Sequence, residues 1–282
     1  MLRTELGDIT AKHYADAIVN AANSLIDKNS EQIRKTIFSE KETGNLIRVS
    51  GVITDYEEAF VVSNKVAALH ADENIDYKDI AILYRTNSQS RALEEIFIRS
   101  AVPYKIMGGT KFYDRAEIKD AMAYLIAVAN PADELSVRRI LNRPRRGIGD
   151  VTETSIARYA ADEGITFRDA LANPSALGVG PKIQQAIAHL DAVLAEASTI
   201  MLPASGEVAP PTAVTEGLNV LLNKSGYLDT LRRSKDPQDE ARAENLEELV
   251  SVAREFDVRN PGAGLLEFLT EVSLVAAADD LD

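Results

Sequence analysis

A cluster of arginines beside a Gly-Ile-Gly tripeptide is the most chemically distinctive feature of this 282-residue sequence. Residues 136–149 contain five arginines and no Asp or Glu, although the whole chain has a formal net charge of −13. An acidic chain repels polyanions at long range, so any contact with nucleic acid has to be local. The cluster consists of Arg138, Arg139, Arg143, Arg145 and Arg146, followed by Gly147, Ile148 and Gly149.

Glycines that flank an apolar residue just before a helix favour phosphate binding. Glycine permits positive φ and lets another backbone approach closely. The helix N-terminus adds free amides and a partial positive charge, which attract an anion. With Arg145 and Arg146 next to them, Gly147 and Gly149 predict a helix-hairpin-helix-like element that grips phosphates without reading bases. The alternative is an ordinary turn between two helices with a solvated basic face.

A weaker copy of this pattern follows. Gly178, Val179 and Gly180 precede a second helix-like segment, and Pro181 suits the first position of that helix. Lys182 is the only cation nearby. For this copy the sequence therefore favours an ordinary turn.

Composition excludes several classes of chemistry. The chain has no cysteine, which excludes disulfides, thiolate metal sites and a Cys nucleophile. It has no apolar run near the roughly 20 residues of a membrane helix, so we expect a cytoplasmic protein without a membrane partner. No phosphate-binding P-loop, G-x-S-x-G or H-E-x-x-H motif is present. We therefore expect no hydrolytic turnover from this chain by itself.

The first third of the chain predicts alternating strands and helices. Short β-branched runs at 45–53, 79–86 and 102–109 alternate with helical spacing at 57–71 and 89–101. This order is typical of a parallel sheet with packed helices.

The remainder predicts helices only. A strongly periodic helix begins near Tyr113 and ends before Pro131, where we place a domain boundary. Beyond it the sequence predicts helices at 133–142, 151–163, 166–173, 181–198, 212–223, 225–234, 238–256 and 262–275.

Three longer segments resemble a known family. "DIAILYRTNSQSRALEE", "VPYKIMGGTKFYDRAEIKDAMAYL" and "ILNRPRRGIGD" are similar to the UvrD/PcrA/Rep family of superfamily 1 DNA helicases. The resemblance implies a partial RecA-like parallel α/β domain at 29–131, the first part of the second motor domain. It also implies that 132–282 form the mostly helical inserted subdomain, called 2B, with helix-hairpin-helix-like elements. Residues 1–28 remain as an atypical segment.

The resemblance also implies site residues. Tyr84 would pack on the adenine of ATP, and Arg85 would reach the γ-phosphate of ATP and Mg held on the other motor domain. Without the resemblance, Tyr84 would be interpreted as an ordinary strand residue and Arg85 as a surface charge.

Two further segments would meet DNA, a duplex with a 3′ single-stranded tail. Near the junction between the duplex and the single strand, the resemblance implicates Lys111, Phe112, Tyr113 and Arg115. The alternative there is a strand–helix turn with Phe112 in the core. On the duplex it implicates Arg143, Arg145, Arg146, Gly147, Ile148 and Gly149.

The family's ATP-binding motifs do not occur in this sequence. The Walker A and B segments and motifs V and VI are absent, so the resemblance implies part of a helicase without its own ATPase turnover. Its partners would be DNA and the rest of the motor. It would regulate unwinding by rotation about residues 130–133.

Two other functions stay open. The acidic helical half could be a protein-interaction module that binds no DNA. The segment "LGDITAKHYADAIVNAANSLI" resembles the start of a macro domain, with Asp8, Ile9, Asn20 and Asn23 near ADP-ribose. The glycine-rich phosphate loops of that module are absent from the sequence.

Overall fold

The computed structural model describes residues 15–28, 47–107, 109–203 and 208–279. Short 3-10 turns lie at Tyr77–Asp79, Asn87–Gln89, Phe112–Asp114 and Pro174–Leu177. The α-helices are α1 (Ala15–Ile26), α2 (Asp55–Glu73), α3 (Ser90–Arg99), α4 (Ala116–Ala129), α5 (Glu134–Leu141), α6 (Asp150–Glu163), α7 (Phe167–Ala170), α8 (Pro181–Met201), α9 (Ala213–Lys224), α10 (Tyr227–Arg232), α11 (Pro237–Arg259) and α12 (Leu265–Asp279). Every helix in these ranges is too short or too polar to span a bilayer.

The described ranges contain no β-strand, so the parallel sheet predicted for the first third is not found in them. The predicted strands at 45–53, 79–86 and 102–109 form no ladder where the structure describes them. Ile80 and Thr86 do have extended backbone angles. An extended segment becomes a strand only when a neighbour pairs with its backbone groups. The local pattern thus predicted an extended conformation, and no partner strand among these residues completes a sheet.

The structure divides into two compact units. Unit 1 extends to Arg85 and also contains Ile96–Lys105, whereas unit 2 contains Thr86–Glu95 and everything from Ile106 onward. These limits differ from the predicted boundary between residues 131 and 132.

Unit 1 contains α2, whose ends follow ordinary capping chemistry. The Thr54 hydroxyl accepts a hydrogen bond from the Glu57 amide at 3.1 Å and so caps the first turn. Ala59, Ser63 and Val66 recur on one face and are buried.

Unit 2 is built around α4, the periodic helix predicted near residues 113–131. Ile118, Ala121, Tyr124 and Leu125 are fully buried on it. This helix packs against α5, α8, α9, α11 and α12, all of which follow Pro131. Pro131 ends the helix as predicted, but the apolar face of α4 is covered by helices beyond it. The predicted boundary therefore does not coincide with a break in packing.

A buried arginine ties the start of α3 to α11 within unit 2. The Arg91 guanidinium, 1% exposed, lies 3.0 Å from Glu95, 3.6 Å from Glu255 and in contact with Glu248. Burial alone lowers the pKa of Arg91, but Glu95 and Glu248 outweigh it and raise the pKa above its usual value. Removing one partner of a buried ion pair costs about 3–5 kcal/mol. This pairing explains why residues 86–95 belong with α11.

The helical prediction for residues 133–275 is confirmed. Each of its eight segments contains an observed helix, α5 to α12, with ends that mostly lie within a few residues of the predicted ones. The largest difference is in 166–173, where α7 covers only Phe167–Ala170 and a 3-10 turn follows at Pro174–Leu177. Asn173 lies between the two and directly precedes Pro174, the first residue of the 3-10 turn. Proline disfavours helical backbone in the residue before it.

Candidate nucleic-acid interface

The arginine-rich segment forms a hairpin loop between α5 and α6, which we call the first loop (residues 142–149). Gly147 has φ +79°, a conformation that residues with a Cβ rarely adopt. Gly149 is the N-cap of α6 and is extended, with φ −112° and ψ −175°. Between them Ile148 is 3% exposed and packs in the core. The loop thus joins two helices through a left-handed glycine and an extended cap, anchored by its apolar middle residue.

Asn142 organises the loop from inside. Its side-chain oxygen accepts hydrogen bonds from the amides of Arg146 at 2.7 Å and Ile148 at 3.3 Å. Sequence reasoning missed this residue. Asparagine directly after a helix is a common turn-former whose side chain bonds nearby backbone, and that signal could have found it.

The Arg146 guanidinium is turned towards the protein. Its Nη1 lies 2.8 Å from the carbonyl of Arg143 and 2.9 Å from that of Ile140. Its Nη2 donates to the Tyr124 hydroxyl at 2.6 Å. That hydroxyl in turn donates to the Arg143 carbonyl at 2.5 Å. These protein oxygens already engage the guanidinium, and the phosphate contact of Arg146 stays a prediction.

Two more arginines of the cluster are paired within the protein. Arg138 bonds Glu134 at 2.5 Å and also contacts Glu153, and it lies 4.5 Å above the Phe167 ring. Arg139 Nε donates to Asp120 at 2.7 Å. These pairs neutralise charge that the sequence alone assigns to the patch.

Arg143 and Arg145 remain as the solvent-facing cations of the first loop. Both side chains are exposed. Neither guanidinium has a hydrogen bond or ion pair to any residue that the structure describes. They flank Pro144 beside the N-terminus of α6, where the first amides have no intrahelical acceptor. The arrangement can bind an anion.

The second glycine pattern has the same backbone. Gly178 has φ +66°, and Gly180 is the extended N-cap of α8, with Pro181 at its first position. A methyl group placed on Gly147 would lie 3.5 Å from Ile183 of α8, so the two hairpins are neighbours. Gln184 donates to the Val179 carbonyl at 2.7 Å.

The residues predicted to contact DNA near the duplex junction are mostly buried inside the protein. Phe112 is 1% exposed, which matches the alternative of a core turn. Arg115 is buried, and its guanidinium donates to Asn245 at 2.8 Å and Ser90 at 2.9 Å. Neither side chain is accessible in this structure, and the DNA contact of Phe112 and Arg115 stays a prediction.

Lys111 and Tyr113 are half-buried. The Tyr113 hydroxyl donates to Glu95 at 3.4 Å, so this side chain is turned towards the protein. In unit 1, Tyr84 and Arg85 are both exposed.

The macro-like segment gains little from the structure. Asp8 and Ile9 of the macro-like segment lie outside the described residues, whereas Asn20 and Asn23 lie on α1. In the described ranges, no three His, Asp or Glu side chains converge as metal ligands would.

The chain is similar in sequence to known bacterial proteins. The chain is 40% identical over 282 residues to "ATP-dependent DNA helicase UvrD1" of Mycobacterium tuberculosis, covering 94% of this chain and 35% of that protein. It is 36% identical over 265 residues to "ATP-dependent DNA helicase PcrA" of Bacillus subtilis, with the same coverage. The chain thus spans about a third of the length of these relatives.

A family model, described as the UvrD-like helicase C-terminal domain, matches residues 15–281. The match begins inside residues 1–28, which the sequence left as an atypical segment, so α1 lies within the matched range. The resemblance drawn from the three sequence segments is confirmed. This chain belongs to the UvrD-like helicase C-terminal domain family.

Proposed function

We propose that this chain supplies a duplex-DNA contact to an ATP-dependent DNA helicase, through the first loop. The observation that carries the proposal is the pair Arg143 and Arg145, exposed and without partners among the described residues, beside a glycine-shaped helix N-terminus. Both relatives named above are ATP-dependent DNA helicases.

The chemistry fits a phosphate diester. The amides of Asp150, Val151 and Thr152 open α6 and have no acceptor within the helix, so they offer donors and a partial positive charge. A guanidinium adds a fork of donors that remains charged at any physiological pH. None of these groups reads a base edge, so the contact tolerates any DNA sequence.

The contact should be weak at physiological salt. A net charge of −13 opposes approach of DNA over the rest of the molecule, so only local attraction remains. Each arginine that neutralises a phosphate contributes about −0.9 to the slope of log K against log salt. Two such contacts predict a slope near −1.8 from the first loop.

The remaining parts of the proposal concern the whole helicase. Segments 47–53, 80–85 and 102–107 would pair as parallel strands once the other strands of the motor domain lie beside them, and the extended angle of Ile80 supports this. Tyr84 and Arg85 are exposed and would face ATP with Mg held by the other motor domain. Rotation about residues 130–133 would regulate unwinding, and DNA repair or replication would be the process served.

Fluorescence anisotropy across a salt series tests the DNA contact, on a duplex with a 3′ single-stranded tail. Wild type should bind with a negative salt slope, and Arg143→Glu/Arg145→Glu should lose most of the affinity. The matched control is Lys235→Glu/Arg254→Glu, which changes the net charge equally at two exposed cations outside the first loop. This control should retain most of the affinity.

Two outcomes would overturn the proposal. Equal losses in the two double variants would mean that total charge, and not the first loop, governs binding. No binding by wild type even at low salt would remove DNA contact altogether and favour the protein-interaction module.

A further inference from the structure

Arg146 occupies a position that a charge-based interpretation of the sequence does not explain. It is one of three cations nearest the glycines, yet its guanidinium is turned inward. It lies at the C-terminal end of α5, with the carbonyls of Ile140 and Leu141 at 2.9 and 3.2 Å. The last carbonyls of a helix lack intrahelical donors and carry partial negative charge. Arg146 therefore caps the helix that precedes the first loop, from a position within that loop.

The same side chain connects the loop to two more elements. On α4 it donates to the hydroxyl of Tyr124 at 2.6 Å, and on the turn after α9 it lies 3.4 Å from the carbonyl of Ser225. Burial raises the pKa of Tyr124, and Arg146 offsets part of that rise. The turn packs closely there, since a methyl group on Gly226 would lie 4.0 Å from Pro144.

Asn142 completes the restraint from the opposite side. By accepting from the amides of residues 146 and 148, it fixes the backbone on both sides of Gly147. Arg145 immediately precedes the anchored Arg146, so its backbone is held while its side chain faces solvent. The amides of Gly147 and Gly149 have no acceptor among the residues that the structure describes.

We propose that Arg146, with Asn142 and Tyr124, is a positioning residue for DNA contact that never touches DNA. It holds the first loop so that Arg145 and the amides of Gly147 and Gly149 face a phosphate together. The inference rests on the proposed function of the first loop. It needs the guanidinium fork and not merely a positive charge, because several acceptors surround the group in different directions.

Paired lysine substitutions separate positioning from direct charge. Arg254→Lys makes the same exchange at an exposed arginine outside the first loop and should bind DNA within about twofold of wild type. Arg146→Lys keeps the same net charge but cannot bridge Ile140, Arg143 and Tyr124, and we expect a five- to tenfold loss of affinity. Binding would be measured by anisotropy at a temperature where circular dichroism shows every variant folded.

A double-mutant cycle adds a readout that loss of stability alone would not move. If Arg146 acts through the loop, Arg146→Lys should cost little further affinity once Arg145→Gln has removed the contact, so the two losses should not add. Additive losses, or wild-type affinity in Arg146→Lys, would overturn the inference while leaving the proposed function intact. Absence of binding by wild type would overturn both.

A second variant covers the case in which Arg146→Lys does not fold. Tyr124→Phe removes one acceptor of Arg146 and keeps the ring in the core. We expect a two- to threefold loss of DNA affinity from it. Unchanged affinity in this variant would count against the positioning role.

Discussion

The first loop and the second glycine turn, residues 178–180, have nearly the same backbone and different surroundings. Each has a left-handed glycine, a buried or half-buried apolar residue, and an extended glycine that caps a helix. Asn142 and Arg146 restrain the first loop from within, whereas the side chain of Gln184 on α8 holds the second turn through the Val179 carbonyl. Only the first loop presents two arginines, where the second has Lys182.

The difference shows that a Gly-x-Gly turn is a scaffold and not yet a binding site. Both turns expose helix amides, so the backbone alone does not distinguish them. The first loop differs by the cations it directs to solvent and by the anchors that hold it. The second turn has no acidic residue in the first turn of its helix, whereas α6 begins with Asp150 and also carries Glu153 there. The lack of acidic residues in its first helical turn therefore favours an anion at the second turn, whereas the arginines favour an anion at the first loop.

The largest expected effect comes from forcing a side chain onto the left-handed glycine of the first loop. Gly147→Val should lower the free energy of unfolding by about 1–2 kcal/mol, because φ +79° is strained for any residue with a Cβ. Its methyl groups would also meet Ile183 of α8. Urea denaturation measures the change.

The control for this substitution is Gly149→Ala. Its φ is ordinary, and a methyl group there meets no atom within 4 Å. We expect a change within about 0.5 kcal/mol. Equal destabilisation by both substitutions would show that the left-handed conformation does not distinguish these glycines.

Neutralising one cation in each turn tests which of them binds DNA. Arg145→Gln should weaken binding to the tailed duplex about tenfold and reduce the salt slope by about 0.9, since one phosphate contact is lost. Lys182→Gln should change affinity by no more than about twofold. Similar losses in the two variants would mean that both turns contact the duplex.

Removing the acidic charge at the start of α6 should strengthen DNA binding by the first loop. Asp150→Asn should raise DNA affinity about two- to threefold, because a carboxylate near a bound phosphate repels it. Asp162→Asn at the far end of the same helix is the matched control and should have no effect. An unchanged affinity in Asp150→Asn would place the phosphate away from the N-terminus of α6.

Alkaline titration gives the smallest expected effect and probes the buried Tyr124 hydroxyl that contacts Arg146 of the first loop. Burial raises the pKa of Tyr124, and burial with the nearby charge of Asp120 raises that of Tyr227. A phenol with a raised folded pKa stabilises the protein fully below its unfolded pKa, about 10, and this contribution is lost as pH rises beyond that value. Absorbance at 295 nm should therefore show a late ionisation phase that Tyr124→Phe/Tyr227→Phe reduces. An unchanged late phase would contradict the burial of these hydroxyl groups.

Much of the helical architecture could be predicted from the sequence. Apolar spacing located α4 and the helices that follow it, and Pro131 marked the end of α4 correctly. The glycine patterns located both turns, because positive φ is a local requirement that few residues satisfy. The predicted parallel sheet is not found in the described residues, since a strand needs a pairing partner that local spacing does not specify.

The roles of individual arginines were much less predictable. Among the cluster of five, the sequence assigned Arg143, Arg145 and Arg146 one role on duplex phosphate. The structure turns Arg146 inward and leaves Arg143 and Arg145 exposed. In the same way, Arg115 lies among partners on distant helices, so its charge is used inside the protein.

The sequence by itself determined which segments after Pro131 form helices, which turns need glycine, and the family to which the chain belongs. Those properties depend on spacing along the chain and on backbone conformation at single residues. Only the tertiary structure decided which cations face solvent, because the partners of Arg146 are Tyr124, 22 residues away, and Ser225, 79 residues away. Whether a charge is free to bind DNA depends on acceptors that folding brings to it, and no local pattern encodes their positions.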